Sequence, residues 1–94
     1  MQHLRNIVRM AYVYGIDLRD REYTPENAGE CIKPFAESLT ETNLDAVIVM
    51  VAALIGMRED SSEDQANDPA IMTDLWRYSI ISGMDIYMHT QGGE

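Results

Sequence analysis

The sequence predicts an all-α protein: a small bundle of four to five helices packed around one central apolar helix at about 43–58. Three observations predict it. Residues 44–57 are apolar or glycine at every position except Asp45, so a helix there has no solvent face. Thr24-Pro25-Glu26 and Asp68-Pro69 each place a capping side chain before a first-turn proline. Apolar residues recur at three- and four-residue spacing in the flanking stretches. The run 47–51 also fits a strand, but Ala52, Ala53, Leu54 and the length of the apolar stretch favour helix.

The first helix is expected over about 3–14. Leu4, Ile7, Val8 and Ala11 form its apolar stripe, and Gly15 is placed to end it. Residues 16–23 then read as a charged connection. The second element starts at Thr24 as N-cap, with Ala28, Ile32, Phe35 and Leu39 as a weaker stripe. Pro34 removes a backbone donor and disfavours helical angles at Lys33, so two short helices are expected, about 25–33 and 34–40.

The central helix begins at Thr42 or Asn43, with Asp45 completing a capping-box-like pattern. Leu44, Val47, Ile48, Val51, Leu54 and Ile55 form one stripe; Ala46, Val49, Met50, Ala53 and Met57 form an opposite one. Residues 58–68 read as a mobile acidic loop with five carboxylates and only Ala66 as an apolar anchor. The last helix runs from Asp68-Pro69 to about His89. Met72, Leu75, Trp76, Ser79, Ile80, Gly83, Met84 and Tyr87 line one face. Ser79 and Gly83, four apart, let another helix approach closely. Residues 91–94 are expected to be a disordered tail.

The chain is a single domain of 94 residues with a formal net charge of −9. Residues 1–21 carry four arginines against two aspartates, +2. Residues 22–94 carry fourteen acids against Lys33, Arg58 and Arg77, −11. A phosphate backbone is bound through Lys and Arg, so no direct nucleic-acid binding is expected. Basic proteins are the better match to an acidic surface, although acidity also serves solubility alone. The single cysteine, Cys31, excludes an intramolecular disulfide and fits a reducing, cytoplasmic location. Glu30 beside it disfavours a thiolate. The N-terminus alternates polar and apolar residues, unlike a signal peptide, and the run 44–57 is too short to cross a bilayer, so no membrane association is expected.

The motifs exclude more than they assign. Asp60, Ser62 and Asp64 have calcium-loop spacing, but Gln65 stands where glycine is needed and Ile71 where the bidentate glutamate is needed. Asp85 and His89 sit one helical turn apart, yet no second pair exists to build a di-metal bundle. There is no nucleophile elbow, phosphate loop or dinucleotide fingerprint. Neither catalysis nor a cofactor is expected.

The function expected from the sequence is a non-enzymatic, acidic protein-binding module. It would act as an inhibitor or adaptor docking on a basic surface of a larger protein. A nucleic-acid-handling enzyme is the most concrete target, by functional analogy with immunity and anti-defence proteins. One alternative is a structural homodimer or assembly subunit whose acidity only aids solubility; another is a small carboxylate-based enzyme or metal-binding bundle. Glu59, Asp60, Glu63 and Asp64 are the candidate partner-binding residues, because local structure gives no reason for so dense a cluster. Val49, Met50, Ala53 and Met57 are the candidates for self-association into a homodimer. The tyrosines beside arginines, Tyr12, Tyr14 and Tyr78, are read as interface anchors or as half-buried core residues.

Overall fold

A computed structural model describes residues 2–92. Its elements are α1 (Gln2–Asp20), α2 (Pro25–Leu39), α3 (Asn43–Gly56), the single turn α4 (Glu63–Ala66) and α5 (Pro69–Gly92). The protein is an all-α bundle. The central apolar helix is α3, which packs against α1, α2 and α5. Ile48, Val49, Ala52 and Ala53 on α3 are all at most 3 % exposed, and only Asn43 at its start and Leu54 near its end are exposed. The 24 residues of α5 extend about 36 Å, nearly the 40 Å long axis of the molecule.

The first helix is longer than expected, because Gly15 does not end it. Leu4, Val8, Ala11, Gly15 and Leu18 continue one stripe at i, i+4, i+7, i+11 and i+14, and Ile16 and Leu18 are each 3 % exposed. Gly15 is a stripe member chosen for size. A Cβ there would overlap the Ala53 carbonyl oxygen and stand 2.8 Å from the carbonyl carbon. Gly56 has the reciprocal role: a Cβ there would overlap the Tyr12 carbonyl oxygen and stand 3.0 Å from its carbon. Gly15 therefore meets Ala53 while Gly56 meets Tyr12, so α1 and α3 run antiparallel with their backbones in near contact.

What ends α1 is a turn centred on Glu22. The Tyr23 N–H donates to the Leu18 carbonyl at 3.2 Å and the Glu22 N–H to the Arg19 carbonyl at 2.9 Å, the Schellman pattern. Glu22 stands at the left-handed position with φ 65°. Glycine usually fills that position because a Cβ is disfavoured there. Glu22→Gly is expected to raise stability by about 0.5–1 kcal/mol. Thermal unfolding checks this; a lowered midpoint would mean the glutamate side chain has a stabilising contact.

The expected break at Pro34 does not occur; α2 is one helix through Leu39. Pro34 faces solvent, while Ala28, Ile32 and Ala36, all at 0 % exposure, hold the buried side on both sides of it. Burial across the proline outweighs the lost hydrogen bond to the exposed Glu30. The starts are as expected: Thr24 Oγ1 accepts from the Asn27 N–H, Thr42 Oγ1 from the Asp45 N–H at 3.0 Å, and Asp68 Oδ1 from the Ala70 N–H at 2.9 Å.

In α5 the expected face turns inward: Leu75, Ser79 and Gly83 are buried, Met72, Trp76, Ile80 and Tyr87 half-buried, and only Met84, 45 % exposed, is left out. Gly83 lies against Ile48, where a Cβ would come within 2.5 Å of Cγ1. Ser79 is fully buried, and its hydroxyl has no hydrogen-bond partner. Small size is what that position needs, and the orphaned hydroxyl is its cost. Of the expected disordered tail, Gln91 and Gly92 belong to α5. Gly93 and Glu94 lie outside the described residues.

Candidate protein-binding surfaces

The acidic stretch 58–68 has more structure than its composition indicates. Ser62 and Gln65 form a complete capping box around α4, and Ala66 and Ser61 are buried. Side chains of α1 tie the stretch down from the other side. Arg19 donates through Nη1 to the carbonyls of Arg58 and Ser61, both at 2.7 Å. Arg9 donates through Nε to the Ala66 carbonyl at 2.8 Å and through Nη2 to Asn67 Oδ1 at 2.6 Å. The Tyr12 hydroxyl donates to Gln65 Oε1 at 2.5 Å. The Ser61 hydroxyl donates to the Ile55 carbonyl at 2.7 Å.

Glu59, Asp60, Glu63 and Asp64 are all exposed on this anchored ledge. Asp60 faces Arg58 at 3.4 Å, a weak surface pair. Glu63 and Asp64 sit in the first turn of α4, where the N-terminal N–H groups favour a carboxylate. That local reason covers two of the four acids; Glu59 and Asp60 lie before the helix.

The basic excess of the N-terminus is largely spent inside the molecule. Arg9 and Arg19 hold the ledge, and the Arg5 guanidinium stacks over the Trp76 ring at 4.6 Å. Two of the tyrosines are packing residues. Tyr12 is 3 % exposed, and Tyr14 stacks on Phe35 with ring centres 4.4 Å apart and planes within 7°. Burial pushes the Tyr14 hydroxyl above its ordinary range, and the neighbouring Cys31, Tyr23 and Asp17 add to the shift while Arg21 opposes it. Protonated at neutral pH, it donates to the Cys31 carbonyl at 3.3 Å.

The self-association residues divide. Val49 and Ala53 are fully buried within one chain, and Met50 and Met57 are half-buried against the same core. The apolar surface left uncovered lies mainly on α5, which sequence reasoning read as one-sided. Tyr78, Ile81 and Met88 are 58, 69 and 67 % exposed. Beside them, Val51, Leu54 and Ile55 of α3 and Tyr78, Ser82 and Ile86 of α5 wall an open groove of about 450 Å³, with Arg58 and Asp85 at its rim. The signal was present in the sequence: Ile71, Tyr78, Ile81 and Met88 recur at spacings of seven, three and seven residues, which keeps them on the side opposite Trp76.

Asp85 and His89 are both exposed on α5. Among the described residues no group of three His, Cys, Asp or Glu converges as metal ligands would. Among them too, no helix is long and apolar enough to cross a membrane. No protein-family profile, curated protein or solved structure matches the chain.

Proposed function

We propose that this chain is a non-enzymatic, cytoplasmic protein-binding module that docks its acidic ledge on a basic surface of a larger protein. The observation that supports this reading is the anchoring of residues 58–68. Three side chains of α1 cross to that stretch, so Glu59, Asp60, Glu63 and Asp64 are presented on a held backbone. A preorganised charged surface loses less freedom on binding than a floppy one. Its carboxylates suit a groove built for phosphates, so an inhibitor of a nucleic-acid-handling enzyme is the concrete form of the proposal.

The test is capture followed by kinetics. The full chain, immobilised and exposed to a lysate of its source cells, is expected to retain a basic protein stoichiometrically. Replacing Glu59, Asp60, Glu63 and Asp64 together by Gln and Asn, with Asp68 intact, should leave the helical spectrum unchanged. Association should slow by about tenfold at low ionic strength and lose most of its salt dependence. Unchanged association with an unchanged salt response would reduce the ledge to a solvating connection and end this reading.

A further inference from the structure

We propose that the outer face of α5 is a self-complementary surface whose partner is a second, antiparallel copy of the same helix. The face is separate from the acidic ledge, and the inference stands or falls independently of it. Ile71, Asp74, Tyr78, Ile81, Asp85 and Met88 follow one another at spacings of three, four, three, four and three residues, and all are exposed. That is the spacing of a helix–helix seam. It runs about 26 Å at 1.5 Å per residue. Met84 and Ile86, 45 and 49 % exposed, widen it. Soluble monomers rarely leave apolar patches much beyond roughly 300–600 Å² uncovered. This seam comes on top of an already filled inner face.

Charge selects the occupant. The chain as a whole carries −9, which opposes self-association through most of its surface. The described part of α5 carries only Asp74 and Asp85 against Arg77, with His89 near its end. Arg77 and Asp85 are placed symmetrically about Ile81, the most exposed large apolar side chain among the described residues. Arg77 lies four residues before it and Asp85 four residues after it. A two-fold axis at Ile81 brings each copy's Arg77 level with the other's Asp85, twice. It sets Ile81 against its own copy and Tyr78 level with Met84, a favourable sulfur–aromatic pairing. A parallel arrangement would instead set Arg77 against Arg77 and Asp85 against Asp85. The antiparallel orientation is therefore the one the charges favour, the register at Ile81 also centres the most exposed apolar side chains, and closed two-fold symmetry follows from it.

Sedimentation equilibrium of the full chain between about 1 and 200 μM, a range spanning weak to moderate affinities, tests the proposal. The expected mass is twice the 10.7 kDa of one chain. Ile81→Glu should give the single-chain mass with an unchanged helical spectrum, because Ile81 is 69 % exposed and lies outside the core cluster. Arg77→Glu alone and Asp85→Arg alone should each weaken association about tenfold or more, through two like-charge contacts. The double swap, Arg77→Glu with Asp85→Arg, should restore it, a rescue that only a copy-to-copy pairing explains. A wild-type mass of 10.7 kDa throughout that range overturns the proposal. So does a dimer indifferent to all three single substitutions, which would place the contact elsewhere. A heterologous protein that binds a monomer at Ile81 would also overturn it, assigning the face to another partner.

Discussion

Gly15→Ala is expected to destabilise the protein by about 3 kcal/mol, the upper part of the range for forcing extra atoms into a packed core. The same change at Gly29 should stabilise it by up to about 1 kcal/mol, since alanine is the better helix former. Both glycines lie inside helices, so propensity favours alanine at both. The neighbours decide the difference. At Gly29 a Cβ meets nothing within 4 Å. At Gly15 it meets the backbone of Ala53, which cannot rotate away as a side chain could. The substitution must push α1 off α3 and open the α1–α3 part of the core, including Val8 and Val49, each fully buried. Against a total stability of about 5–15 kcal/mol, that loss would be visible as a large fall in the denaturation midpoint. Equal effects at the two positions would mean that α1 and α3 are not in backbone contact.

Val49→Asp is expected to leave the protein largely unfolded at neutral pH. Val49 is at 0 % exposure, and it belongs to a core cluster with Ile7, Val8, Ala11, Tyr12 and other apolar side chains. An unpaired carboxylate there costs about 3–5 kcal/mol or more. Burial would hold its folded-state pKa above the ordinary value, so the penalty is full above that raised pKa and fades as the pH falls below it. Circular dichroism should therefore show helix returning between about pH 6 and pH 4, around and above the ordinary Asp value. Val51→Asp should cost less, because Val51 lines the open groove and a carboxylate there reaches water. A Val49→Asp protein as stable as the wild type at neutral pH would mean that α3 is not the central helix.

The two results bear on how much of the molecule the chain itself reveals. Helix starts were legible because a cap is a local event. Thr24, Thr42 and Asp68 each accept from an N–H two or three residues on, and that requires only the residues named. Helix ends were less legible. Gly15 and Pro34 carry strong local preferences, and each was overruled by a partner distant in sequence: Ala53 for the first, the core around Ile32 and Ala36 for the second. The actual end of α1 lies at Glu22, a residue with no local preference for the left-handed conformation it adopts.

The candidate surfaces divide in the same way. That Glu59, Asp60, Glu63 and Asp64 form one acidic stretch is a property of the sequence. That the stretch is held in place is not, because Arg9, Tyr12 and Arg19 reach it across separations of 39 to 58 residues. The same long reach turns Tyr12, which the sequence left open as an interface anchor or a core residue, into a packing residue, and engages those arginines within the chain.

By itself the sequence determined an all-α bundle, its central helix and its acidity, because apolar periodicity, capping chemistry and charge are carried by residues close together in the chain. Only the tertiary structure decided which apolar stripe would find a cover. Both α3 and α5 are apolar on more than one side, and a pattern cannot say which will be placed in the middle. With α1, α2 and α5 packed around it, α3 leaves only one apolar residue exposed, Leu54, whereas α5, at the edge of the bundle, keeps Tyr78, Ile81 and Met88 in solvent. Coverage is a property of the neighbours, and neighbours are set by packing rather than by the segment's own residues.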